Sequence, residues 1–181
     1  MGAMKTGGQT VLLLGDSLIE YGDWHELLGG YHVVNRGMAG ETVGGLSARL
    51  GWETERTADP DHILIMSGTN DLLMGDRNFS AVFATMLPRL KLLEPDADIS
   101  VVGIAPMRLP GLHEELLQGI NCTLRETVLQ AGCRFVDIVS CFHLHCRPVG
   151  NPCFLMDGVH FSPHGYKVLA AAVREHLESY P

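Results

Sequence analysis

Short apolar runs and longer apolar stripes alternate along the chain. Thr10–Leu14, His32–Asn35, His62–Met66, Ile99–Gly103 and Arg134–Ile138 are brief and nearly continuous in hydrophobic residues. Runs of this length suit strands covered on both faces, as in a parallel sheet. Between them the period changes. Phe79, Val82, Phe83, Met86, Leu87, Leu90 and Leu93 follow the i, i+3, i+4, i+7 spacing of one helix face, with Asn78 as N-cap. Pro88 falls inside that stripe and predicts a kink or a break. Leu116, Leu117, Ile120, Leu124 and Val128 form a second stripe, stopped by Gly132. Ser162-Pro163 opens a last helix, cap then first turn, whose stripe is Tyr166, Leu169, Ala170, Val173 and Leu177. A shorter helix is predicted from about Thr42 to Leu50.

Strands alternating with helices predict a three-layer α/β/α fold. Right-handed crossovers leave few topologies, and five strands favour the flavodoxin-like parallel order 2-1-3-4-5. The 181 residues suit one domain spanning 1–181, without internal repeat, linker or low-complexity stretch. Residues 1–8 read as a tail, disordered or added by cloning.

Hydrophobic residues make up 46% of the chain and charged residues 19%, an ordinary globular balance. The formal charge of −8, without a lysine/arginine cluster, speaks against a nucleic-acid partner. No apolar run approaches the roughly 18–20 residues of a membrane span. Five cysteines, an odd number, predict reduced thiols and a cytoplasmic location, although a trimmed export signal remains compatible with the opening Met1-Gly2-Ala3-Met4. The segment Cys141-Phe-His143-Leu-His145-Cys146 invites a zinc reading, but four ligands within six residues strain to surround one ion. A plain cysteine-rich segment is preferred, and no metal is expected. Neither G-x-G-x-x-G nor a P-loop is present, so no nucleotide cofactor is expected.

In an open α/β sheet, ligands bind beyond the carboxyl ends of the strands. There the sequence places Gly15-Asp16-Ser17-Leu18 after the first strand and Arg36-Gly37-Met38-Ala39-Gly40-Glu41-Thr42 after the second. Ser67-Gly68-Thr69-Asn70-Asp71 follows the third, and Asp157-Gly158-Val159-His160 precedes the last helix. With strands 2, 1 and 3 as neighbours about 4.8 Å apart, Ser17, Gly40 and Asn70 meet at one edge. A serine hydroxyl needs a base to attack an acyl carbon; histidine suits that work, and an aspartate fixes its tautomer. The oxyanion formed needs preset N–H donors; Gly40, lacking Cβ, lets a backbone amide come close, and Asn70 offers a side-chain amide.

Taken singly, these residues have ordinary readings. Ser17 suits an N-cap, Gly40 and Asp157-Gly158 suit turns, Asn70-Asp71 suits a turn or cap, and His160 suits a structural histidine. Together, in order, the four blocks resemble the SGNH (GDSL) hydrolase family over almost the whole chain. The resemblance implies Ser17 as nucleophile, with Asp157 and His160 completing a catalytic triad. It implies an oxyanion hole from the Ser17 amide, the Gly40 amide and the Asn70 side chain. Met107-Arg108-Leu109-Pro110 is similar to a loop of the bacterial thioesterase/lysophospholipase branch. The implied activity is hydrolysis of carboxylic esters, short acyl or acetyl esters favoured, through an acyl-enzyme. The partner is then a small-molecule ester, with no metal or cofactor required. Thioester or lysophospholipid hydrolysis and acyl transfer would use the same site. A non-catalytic acyl- or partner-binding module is the alternative of another class. Arg108, beyond the fourth strand, is placed either against a polar substrate group or simply at the surface. Asp16 holds the nucleophile loop or is solvated. Trp24, Trp52 and Phe161 read as packing residues, and His143, His145, His164 and His176 as structural ones.

Overall fold

The computed structural model describes residues 8–57, 59–146 and 152–179; residues 1–7 of the expected tail lie outside them. Five strands, β1 Thr10–Gly15, β2 His32–Gly37, β3 His62–Met66, β4 Asp98–Val102 and β5 Arg134–Val136, form one sheet in the order β2-β1-β3-β4-β5. All four pairings are parallel. β1 and β3 are interior strands, and Val11–Leu14 and Ile63–Ile65 are almost wholly buried, which explains their unbroken apolar character.

Eight helices complete the described fold: α1 Ser17–Glu20, α2 Trp24–Leu27, α3 Val43–Glu55, α4 Thr69–Leu73, α5 Ser80–Leu93, α6 Glu114–Gln130, α7 Val139–His145 and α8 Pro163–Glu178. The chain steps from β1 outward to β2, then reverses across β1 to β3, β4 and β5. Right-handed crossovers therefore send α3, α5 and α6 to one face and leave α1, α2 and α8 on the other. The packing agrees, with α3 against α5, α5 against α6, and α8 against α2 and α7. The reversal between β1 and β3 creates the switch point at which this class of sheet opens a site.

Some details differ from the sequence expectations. The α5 helix has Phe79 at its N-cap and no side-chain cap; Asn78 instead donates its N–H to Asp76. Pro88 does not break α5, because Phe83, Met86, Leu87 and Leu90 on either side are buried against the core and hold the turn. The 43–55 helix is longer than predicted and is capped by the Thr42 hydroxyl, which accepts from Gly45 N–H at 3.2 Å. Trp52 is exposed, with the Arg56 guanidinium 4.2 Å above its ring, whereas Trp24 and Phe161 are core residues. The segment 141–146 lies mostly in α7, with Phe142 turned into the core. Cys146 forms a disulfide with Cys153, which overturns the expectation of uniformly reduced thiols; Cys122, Cys133 and Cys141 are free. Seven residues beyond Cys146, the bonded partner Cys153 lies on the approach to α8, a pairing that no sequence spacing revealed.

Candidate active site

β1 ends in Gly15, whose φ of +156° and contact with β3 leave no room for a side chain: a Cβ there would collide with the Met66 carbonyl oxygen. This crowding lets the chain turn at once into α1, with Ser17 as its first residue. Asp16 caps that turn, its carboxylate accepting from Leu18 N–H at 2.9 Å. Asp16 is fully buried. Burial pushes its carboxyl up to about 6, against the pull of the Leu18 N–H and the Thr69 side chain. Asp16 is thus a buried cap rather than a solvated residue.

The Ser17 hydroxyl lies 3.0 Å from His160 Nε2, although 143 residues separate them. His160 Nδ1 lies 2.8 Å from Asp157 Oδ2. The other Asp157 oxygen accepts from the Val159 and His160 N–H groups at 2.9 and 3.0 Å, so one tight turn presents both side chains. The hydrogen bond from His160 is the chief reason that the Asp157 carboxyl is held down at about 2. An ionised carboxylate can only accept, so Nδ1 carries the proton and Nε2 is left to accept from the serine hydroxyl.

Three bonds brace this turn. Arg108 N–H donates to the Gly158 carbonyl at 2.8 Å, Leu155 N–H donates to the His160 carbonyl at 2.7 Å, and the Arg108 guanidinium reaches the Leu155 carbonyl at 3.5 Å. Arg108 therefore supports the Asp157–His160 loop from the end of β4. Immediately after the loop, the Ser162 hydroxyl caps α8 through Gly165 N–H at 3.1 Å and donates to the Pro152 carbonyl. The Tyr21 ring sits 5.7 Å from the His160 ring.

On the opposite side of Ser17, the loop after β2 is pinned to its neighbours. Met38 N–H donates to the Gly15 carbonyl at 2.8 Å, Ala39 N–H to the Glu20 carboxylate at 2.7 Å, and Val43 N–H to the Asp71 carboxylate at 3.0 Å. Asn70 Nδ2 donates to the Glu41 carbonyl at 2.9 Å, which spends one of its two protons and leaves the other. Among the described residues the Ser17 and Gly40 N–H groups have no intramolecular acceptor. Gly40 has φ +79°, and an added Cβ would meet nothing within 4 Å. Its left-handed backbone favours glycine at this position.

Behind this loop lies an ion cluster that the sequence did not reveal. Arg49 grips Glu41 through Nε and Nη2 at 2.6 and 2.7 Å, donates to the Arg36 carbonyl at 2.8 Å, and pairs with Glu53 at 2.8 Å. Arg36 completes it, 3.3 Å from Glu53. Apart from the i, i+4 pair Arg49–Glu53, Glu20, Glu41, Arg49, Glu53 and Asp71 have no mutual sequence pattern; their roles depend on the register of strands brought together by folding.

All five residues singled out from the sequence thus lie at one edge of the sheet. Ser17, His160 and Asp157 are joined in a hydrogen-bonded chain, while Gly40 stands on the β2 loop and Asn70 in the first turn of α4, linked to that loop through the Glu41 carbonyl. Among the described residues no three metal-ligating side chains cluster, and no helix is long and apolar enough to cross a membrane.

The profile of the GDSL-like lipase/acylhydrolase family matches residues 13–168, taking in every one of these groups. No curated protein sequence matches the chain significantly. Among solved structures, a catalytic mutant of Axe2, an acetylxylan esterase from Geobacillus stearothermophilus, superimposes with a TM-score of 0.78 at 20% identity, over 96% of this chain and 96% of that one. The lipase/acylhydrolase from Enterococcus faecalis gives 0.77 at 20% identity, over 94% and 95%. TesA gives 0.75 at 22% identity, over 94% and 98%. At such identities these likenesses establish a shared fold.

Proposed function

Because the chain belongs to the GDSL-like lipase/acylhydrolase family, and so to the carboxylic ester hydrolases, we propose that it cleaves esters of short acyl groups through an acyl-enzyme on Ser17. The observation that carries this reading is the continuous chain from Ser17 Oγ to His160 Nε2 at 3.0 Å and from His160 Nδ1 to Asp157 at 2.8 Å.

In the first half-reaction His160 Nε2 takes the Ser17 hydroxyl proton as Oγ bonds to the ester carbon. The carbonyl electron pair moves onto oxygen, where the Ser17 and Gly40 N–H groups and the second Asn70 proton receive it. The intermediate collapses, the carbon–oxygen bond to the alcohol breaks, and the imidazolium gives its proton to the leaving oxygen. Water then repeats the sequence on the acyl-enzyme, releasing the acid and restoring Ser17. Asp157, ionised down to about pH 2, keeps the imidazole in the required tautomer throughout.

The preference for short acyl groups rests on compact loops: the blocks at 15–17, 38–42 and 67–70 follow their strands directly, without an inserted cover. The structural likeness to an acetylxylan esterase favours acetyl esters of carbohydrate among them. Thioester and lysophospholipid hydrolysis and acyl transfer draw on the same groups, and a panel ranked by kcat/KM separates them. The working test is turnover of p-nitrophenyl acetate: Ser17→Ala is expected to abolish it, and unchanged turnover would end the proposal. A fluorophosphonate reagent distinguishes the non-catalytic binding module, in which Ser17 stays unlabelled.

A further inference from the structure

A groove of about 510 Å³ opens beside His160, between α1–α2 and the start of α8. That size falls within the roughly 300–1,000 Å³ typical of small-ligand sites. Tyr21, Leu27, Leu155, Phe161, Pro163 and Tyr166 give it apolar, largely aromatic walls. Asp23, Glu26 and Lys167 stand at the same groove, two carboxylates against one ammonium. Neither Gly40 nor Asn70 borders it.

The chemistry of the tetrahedral intermediate decides which half of the ester this groove receives. The acyl carbon carries four substituents: Ser17 Oγ, the oxyanion, the leaving oxygen and the acyl carbon chain. The oxyanion points to the donors of the β2 and β3 loops. The leaving oxygen must face His160 Nε2, since that atom protonates it as the bond breaks. Whatever is attached to the leaving oxygen therefore continues past the imidazole, onto the side where the groove begins. Tyr21 and Leu155 are 60% and 47% exposed, so the protein by itself does not cover these walls.

We propose that this groove binds the alcohol half of the ester and selects a neutral, ring-bearing alcohol. The inference rests on the esterase reading above and adds the identity of the leaving group. Tyr21 and Leu155 are its specificity-determining residues. Neither donates or accepts the transferred protons. The acidic bias at the groove, within a chain of net charge −8, disfavours alcohols carrying several anionic groups.

The test compares phenyl acetate with 2-naphthyl acetate, which share an acyl group and have leaving phenols of similar acidity. The wild-type protein is expected to favour the naphthyl ester in kcat/KM by about tenfold, the scale of burying one further ring. Tyr21→Ala and Leu155→Ala are expected to erase that preference, bringing the ratio of the two kcat/KM values close to one. Leu73→Ala, at an exposed position outside the groove, should preserve the preference, and a sulfonated naphthyl acetate should lose it. Equal turnover of the two esters by the wild type would overturn the inference while leaving Ser17-dependent hydrolysis intact. So would variants whose losses instead follow acyl length in a p-nitrophenyl acetate, butyrate and octanoate series. Absence of any Ser17-dependent ester cleavage would remove both readings together.

Discussion

At the scale of single residues, two carboxylates near Ser17 are pushed in opposite directions. Asp157 is held at about 2, chiefly by its hydrogen bond with His160, while burial lifts Asp16 to about 6. On the proposed mechanism kcat/KM should fall on acidification as the base is lost, and that limb cannot arise from Asp157, which stays ionised down to about pH 2. Asp16 also has a consequence for stability. Its folded carboxyl binds a proton more tightly than the ordinary value of 3.8, so between pH 3.8 and about 6 the folded state holds more protons than the unfolded one. Stability from this group is thus lost as pH rises through that window, by roughly 3 kcal/mol in all. Asp16→Asn keeps an oxygen for the Leu18 cap and removes the charge. In urea unfolding it is expected to be more stable than the wild type by about 1–3 kcal/mol at pH 8 and equal at pH 4; a constant difference would refute the assignment. Asn70→Ala removes the bond to Glu41 and, on the proposed mechanism, an oxyanion donor; steady-state kinetics should show kcat down by about 10²–10³, with a smaller change in KM.

At the scale of elements, the site depends on three loops leaving adjacent parallel strands in register. Gly15 pairs with Gly37 on one side and Met66 on the other, which sets the start of each loop at the same level. The β2 loop has little regular structure of its own, and Arg49 on α3 ties it down by holding both Glu41 and the Arg36 carbonyl. Arg49→Met would leave Glu41 and Glu53, each nearly buried, without their main counter-charge. Thermal and urea unfolding should register a loss of about 3–5 kcal/mol. The restrained variant Arg49→Lys keeps the charge but not the two-pronged grip on Glu41; its expected signature is a lower kcat with a smaller loss of stability. These long elements were legible in advance because apolar periodicity records burial directly. The four short helices α1, α2, α4 and α7 were not, since segments of four to seven residues carry too few turns to show a helical period.

At the scale of the molecule, the Cys146–Cys153 disulfide ties the end of α7 to the approach to the His160 loop. Such bonds persist in oxidising compartments, so this pairing competes with the cytoplasmic location suggested by the odd cysteine count. Protein isolated without reductant is expected to titrate three thiols under denaturing conditions, and five after reduction. Replacing both cysteines, Cys146→Ser with Cys153→Ser, should cost about 2–3 kcal/mol of stability, the loop-closure contribution of a short span. By itself the sequence determined the strands, the long helices and the identity of the five chemically apt residues, because hydrophobic period and motif chemistry are local properties of the chain; crossover handedness then narrowed the sheet order. It left undecided the distance from Ser17 to His160, the brace from Arg108, the cluster around Arg49, the disulfide partner and the groove between α1–α2 and α8. Each of these joins residues far apart in sequence, and such contacts are selected by the packing of the whole core, which brings their backbones together before any side chain can interact.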